Sequence, residues 1–127
     1  MKTTELTEIF GEPISIYTRA QGIEDGVLVD VTETAREAGF KWPVALTSAL
    51  FAVIEHQGDF AGRLWDVLWM ATLAARRPLR PSEHDREYKL YQLILPYHRQ
   101  KMTTVKMVSG PGDHGEPVIT LMLPNED

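Results

Sequence analysis

The chain has 127 residues, with 13 Lys and Arg against 18 Asp and Glu, a net charge of −5 and no cysteine. That length suits one domain spanning residues 1–127, with a core large enough to fold without a metal or disulfide staple. The lack of cysteine excludes disulfides, thiolate zinc sites, iron–sulfur clusters and cysteine nucleophiles.

Residues 1–12 are polar and read as a frayed or short helical start. Pro13-Ile14-Ser15-Ile16-Tyr17 alternates weakly, as a short edge strand would, with Pro13 at its beginning. Thr18 is placed to cap a short helix over Arg19 to Glu24, and Asp25-Gly26 turns the chain. Val27 to Val31 is a strand by its β-branched content. Thr32 or Thr34 caps the next helix, Thr34-Ala35-Arg36-Glu37 fits a capping box, and Gly39 suits the helix end. Leu46, Ala49, Leu50, Val53 and Ile54 have helical spacing, which predicts a second, longer helix over Val44 to His56, broken by Gln57-Gly58-Asp59.

Leu64-Trp65-Asp66-Val67-Leu68-Trp69-Met70-Ala71-Thr72-Leu73-Ala74-Ala75 follows, a helix that is apolar nearly all round and holds two of the three tryptophans. A one-faced surface helix would have a polar back. This one is therefore expected to be covered on several sides by its own chain, the other arrangement being an interface. It stops at Arg76-Arg77-Pro78, cations at a helix C-terminus followed by a residue that cannot continue it. Residues 78–86 are a loop. Glu87 to Leu95 and Met102 to Val108 alternate as strands, residues 109–117 connect them onward, and Val118 to Leu123 is the last strand. The order predicts an α+β fold: an antiparallel sheet of four or five strands packed on one face by two or three helices, the last two strands forming a hairpin.

The charge is uneven. Residues 1–37 hold eight acids against three bases, and residues 76–101 hold seven bases against three acids. Glu24, Asp25 and Asp30 are the acidic candidates for partner binding; Arg76, Arg77, Arg80 and Arg86 are the basic ones. The arginines, with Tyr88 and Tyr91, have the mixture found in single-strand binders, but the domain as a whole is acidic, so nucleic acid is not favoured. The acidic third suits mimicry of phosphates against a basic groove.

Catalytic signals are weak. Gly110-Pro111-Gly112-Asp113-His114-Gly115 lacks both major phosphate-loop patterns and precedes a strand, so it reads as a hairpin turn. His56, His84, His98 and His114 show neither i, i+4 spacing nor a His-Glu-x-x-His pattern. No serine sits in a Gly-x-Ser-x-Gly elbow. Asp66 in its apolar helix must be paired, protonated or exposed. No catalytic residue, metal or cofactor is expected. A small enzyme built on Asp113, His114 and Asp66 is the alternative, and a nucleic-acid binder using the basic segment is another.

The start Met1-Lys2-Thr3-Thr4-Glu5 leads into acidic sequence, not an apolar leader. The longest apolar run is short for a bilayer. A soluble cytoplasmic protein without membrane contact is expected; the sequence does not set the oligomeric state.

Three blocks form a familiar set: Ile9 to Phe40, with Tyr17-Thr18-Arg19-Ala20-Gln21-Gly22-Ile23-Glu24-Asp25-Gly26-Val27-Leu28-Val29-Asp30-Val31 at its centre; Gly62-Arg63-Leu64-Trp65-Asp66-Val67-Leu68-Trp69-Met70-Ala71; and Gly110 to Pro124. Over about two thirds of its length the chain resembles a family of small bacterial proteins of unknown function, often found on plasmids, phages and other mobile elements. The resemblance carries no catalytic residues across. It implies a context in which small acidic proteins often inhibit host defence, anti-CRISPR and anti-restriction proteins among them, by binding alone. The expected function is a non-enzymatic inhibitor whose partner is a protein, such as a CRISPR effector or another nucleic-acid-handling complex.

Overall fold

The computed structural model describes residues 17–55, 59–78, 88–94 and 102–126. The expected segments at 1–12, 13–16 and 79–86 lie outside the described residues. In chain order the elements are helix α1 (Arg19–Glu24), strand β1 (Leu28–Asp30), helix α2 (Thr32–Ala38), strand β2 (Val44–Thr47), helix α3 (Ser48–Glu55), helix α4 (Phe60–Arg76) and strands β3 (Tyr88–Ile94), β4 (Met102–Pro111) and β5 (Pro117–Met122). The strands form one five-stranded sheet in the order β1-β2-β5-β4-β3. The fold is α+β. The sheet is mostly antiparallel, but β2 and β5 run parallel.

The early elements form where local chemistry asks for them. The Thr18 side chain accepts from the Gln21 backbone N–H and the Gln21 side chain answers at the Thr18 N–H, a complete capping box for α1. Gly26, at φ +81°, makes the turn into β1. The box expected at Thr34 does not form, because α2 begins two residues earlier. There the Asp30 carboxylate accepts from the Thr32 N–H at 3.0 Å and from its hydroxyl at 2.5 Å. Thr32 Oγ1 also accepts from the Val44 N–H at 3.1 Å, which ties the start of α2 to the start of β2. Gly39 ends α2, as its position in the sequence suggests.

The helix expected over Val44 to His56 is two elements. Val44–Thr47 is a strand, and the helix starts at Ser48. All four strand residues are buried, because β2 lies between β1 and β5 inside the sheet. A strand covered on both faces shows a continuous apolar run, not alternation.

The core lies between one face of the sheet and helices α2, α3 and α4. Leu46, Tyr91, Leu93, Val105, Met107, Ile119 and Leu121 from the sheet join Ala35 of α2, Leu50 and Ile54 of α3 and Leu64, Val67, Leu68 and Ala71 of α4 in one cluster. Tyr91 fixes α4 on the sheet: its buried hydroxyl donates to the Val67 carbonyl at 3.0 Å. Burial raises the pKa of that phenol, so it stays protonated as the donor. No helix among the described residues is long and apolar enough to cross a membrane.

Candidate interaction surfaces

The first surface is built around Arg19. The hairpin of β4 and β5 pairs Pro111 with Pro117, leaving a tight loop over residues 112–116, with Gly115 at φ +82°. From that loop the Asp113 carboxylate reaches α1 and accepts from the Arg19 N–H at 2.7 Å and the Ala20 N–H at 3.0 Å. These are two of the donors that a helix N-terminus leaves unsatisfied. A residue more than ninety positions away thus completes the cap that Thr18 begins. The two backbone donors hold the Asp113 carboxyl below the usual carboxylate range, helped by His114 and Arg19. Arg19 answers in the opposite direction. Its half-buried guanidinium donates to Thr120 Oγ1 and to the Ile119 carbonyl, both at 2.7 Å. Burial lowers the Arg19 pKa, and Asp30, Asp113 and Glu116 oppose that shift through their charge.

Two carboxylates of the hairpin loop and one from the end of β1 therefore act on one arginine through their charge. Asp30, Asp113 and Glu116 are all exposed. Glu116 accepts from the His114 N–H at 2.8 Å and so stiffens the loop from within. Tyr17 donates to Asp25 at 2.6 Å, and this bond, with the Asp25 charge, raises the tyrosine pKa. Tyr17, Arg19, Asp113, Thr120, Met122 and Glu126 line an open groove of about 630 Å³ on the sheet face opposite the core. Glu126 accepts from the Thr47 hydroxyl at 2.7 Å and the Leu123 N–H at 2.8 Å. Of the sequence candidates, Asp30 joins this corner through Arg19, Asp25 through Tyr17, and Glu24 is exposed at the end of α1. Glu116 was not singled out from the sequence; the one signal there that points to it is its place in the same turn as Asp113, across Gly115.

The pieces of the enzyme alternative sit in different settings. Asp113 is held by two backbone N–H groups, His114 is exposed, and Asp66 is exposed on α4, outside the lining of the Arg19 groove. Among the described residues no group of three histidines and carboxylates stands ready for a metal; His56, His84 and His98 lie outside them.

The basic candidates divide. Arg80 and Arg86 lie outside the described residues. Arg76 is exposed in the last turn of α4. Arg77 donates to the Leu90 carbonyl at 2.7 Å. Lys89 reaches from β3 to the carbonyls of Ala74, Ala75 and Arg77 at 3.1, 3.1 and 2.7 Å. Lys89 therefore caps the C-terminus of α4, where carbonyls lack partners and the helix dipole favours a cation.

The second surface is the outward side of α4. Among the described residues, α4 is buried along one arc, that of Arg63, Leu64, Val67, Leu68, Ala71, Thr72 and Ala74. The expectation of cover on several sides is corrected here. Trp65, Trp69 and Leu73 are 39%, 44% and 43% exposed. The two indoles stack with centroids 6.4 Å apart and planes 11° from parallel. Asp66 and Arg76 of the same helix are exposed as well.

Residues 52–127 match the model of a family described as a family of unknown function (DUF6573). The chain belongs to that family. No curated protein and no solved structure matches it. The DUF6573 match contains α4, β3, β4, β5 and the hairpin loop, hence two of the three blocks that carried the sequence resemblance, and it includes residues 78–104 between them. The block from Ile9 to Phe40 lies outside it. The bonds from Asp113 to α1 thus join the part of the chain matched by DUF6573 to the part before it.

Proposed function

We propose that the protein acts by binding another protein, without chemistry of its own, and that the acidic corner around Arg19 is the contact. The observation that carries this reading is the exposed Asp113 carboxylate fixed on the Arg19 and Ala20 N–H groups at the start of α1, with Glu116 in the same loop and Asp25 bonded to Tyr17, which lines the groove beside it. Carboxylates fixed by backbone and side-chain bonds keep their spacing when a partner approaches. A rigid acidic surface is complementary to a basic groove that otherwise holds nucleic-acid phosphates. The family resemblance to proteins of plasmids, phages and other mobile elements directs the search to host-defence complexes. On this reading the protein is an inhibitor of such a complex, an anti-CRISPR protein where the target is a CRISPR effector. Of the described bases in the segment that would serve a nucleic-acid binder, Arg77 and Lys89 hold backbone carbonyls and Arg76 is exposed.

The test is capture from a bacterial lysate that expresses defence complexes, using tagged wild type and a Glu24→Lys, Asp25→Lys variant. Captured protein is read by mass spectrometry, with nucleic acid assayed in the same eluate. A stoichiometric protein partner is expected, recovered about tenfold less by the variant and less at raised salt, as surface electrostatics requires. Equal recovery by the variant, or nucleic acid without protein, contradicts the reading.

A further inference from the structure

We propose that the open edge of β3 is a docking groove for an extended segment of a partner protein, which joins the sheet as a further strand and turns apolar side chains toward α4 at alternate positions. Among the described residues β3 ends the sheet and pairs with β4 alone. In an antiparallel ladder the N–H and C=O of one residue point to the same side, and successive residues point to opposite sides. Two bonds fix which residues of β3 face outward. The Gly112 N–H donates to the Glu116 carbonyl in the register of β4 with β5, so the even-numbered residues of β4 face β5 and the odd-numbered ones face β3. Their partners on β3 are Lys89, Tyr91 and Leu93. Leu90, Gln92 and Ile94 therefore turn their backbone groups away from β4, and the Leu90 carbonyl accepts from Arg77 on that outer side.

Arg77 holds one end of the edge. Beyond it, no bond among the described residues reaches the Gln92 or Ile94 backbone from the open side. Two N–H and two C=O groups stand there in a row, which is the template that strand addition uses. From Leu90 to Ile94 the strand has neither charge nor proline, the usual guards of a free edge. Ile94 and its cross-strand neighbour Met102 are exposed.

Beside this edge lies an open groove of about 520 Å³, with Met70, Leu73 and Ala74 of α4 on one side and Leu90, Tyr91 and Gln92 of β3 on the other. The backbone row requires an extended chain, and the groove requires that the side chains facing α4 be apolar. A second copy of the chain fits this edge poorly. Tyr91 and Lys89 hold α4 over β3. Two β3 strands paired edge to edge lie about 4.8 Å apart, whereas packed helices need roughly 8–10 Å, so the two α4 helices would collide. A single strand from a partner brings no such helix.

The groove shares no lining residue with the one at Arg19, and the two tests separate. The probe is a library of random peptides displayed on phage and panned against the full chain. Enriched sequences are expected to carry apolar residues at alternate positions. The amides of Gln92 and Ile94 should exchange fast in the free chain and at least about fivefold more slowly with the synthesised consensus peptide bound, while Tyr91 and Leu93 stay slow in both states. Gln92→Pro removes an outward N–H and leaves the ladder to β4 intact; it should weaken peptide binding at least about tenfold, whereas Gln92→Ala keeps that N–H and should bind within about threefold of wild type. Leu73→Asp, at an exposed position, puts a charge in the groove and should weaken binding as much as Gln92→Pro. Trp69→Ser, outside the groove, and the Glu24→Lys, Asp25→Lys variant should bind as wild type does. Thermal melts check that each variant is folded. Failure to enrich alternating sequences, protection of Gln92 and Ile94 in the free chain, or bound peptide that leaves these two amides unchanged overturns the proposal. So does protection of them that grows with the concentration of the chain alone, since the occupant would then be a second copy.

Discussion

Around Arg19, polar groups that reach the surface are held by partners from other elements; along the outward face of α4, large apolar groups reach the surface held mainly by each other. Asp113 caps a helix from a distant loop, and Arg19 returns two bonds to β5. Trp65 and Trp69 rest on one another with much of their area in water. The first region is rigid because hydrogen bonds cross between elements, and its charge is a by-product available for recognition. The second adds little to the fold, and its exposed area gains free energy only when something covers it. A charge cluster and an aromatic stripe thus call for different experiments. Removing a group at the corner should affect both fold and binding, whereas removing one from the stripe should leave the fold as it is.

The sharpest form of this contrast lies within α4. Leu68 is fully buried and Trp69, its neighbour, is exposed. Leu68→Ala should destabilise by about 3 kcal/mol, the usual cost of a core cavity, while Trp69→Glu should stay within about 0.5 kcal/mol of wild type. Urea unfolding decides it; a comparable loss from Trp69→Glu would break the distinction between the two arcs. At the corner, Arg19→Met removes two hydrogen bonds to β5 and should cost about 1–2 kcal/mol. Amide exchange at Gly22, whose N–H is bonded to the Thr18 carbonyl, should speed up as α1 loosens. Unchanged exchange would mean that α1 holds without its arginine.

The smallest effect concerns acid. Asp113 titrates below the ordinary aspartate range in the folded chain. Its contribution is therefore complete above the unfolded value of about 3.9 and is lost as pH falls through the lower folded value. In melts between about pH 5 and pH 2, Asp113→Asn should flatten this part of the stability curve. A variant curve parallel to that of wild type would show that the cap does not respond to protonation.

How much of this was legible in the sequence depended on distance along the chain. The Thr18 box, the Gly39 helix end, the end of α4 at Arg77 and the β4–β5 hairpin follow from neighbours within a few residues, and the sequence shows them. Strand β2 was hidden because Val44-Ala45-Leu46-Thr47 runs into α3 without a turn, and a short, fully buried strand offers no alternation to separate it from a helix. The Thr34 box failed because Asp30, just upstream, supplied its own carboxylate first. The corner was the least legible part. Glu24, Asp25 and Asp30 could be marked as acidic, but Asp113 looked like a turn residue because its partner is the start of a helix ninety-four positions earlier. The α4 stripe was visible as excess hydrophobicity, though not which arc the chain would leave open.

Hydrogen exchange of the protein alone and bound to its captured partner tests the docking surface most directly. The account predicts added protection at residues 24–30 and 112–116, with α4 unchanged between the two states. Protection confined to residues 60–76, with the Arg19 corner exchanging as before, would contradict it.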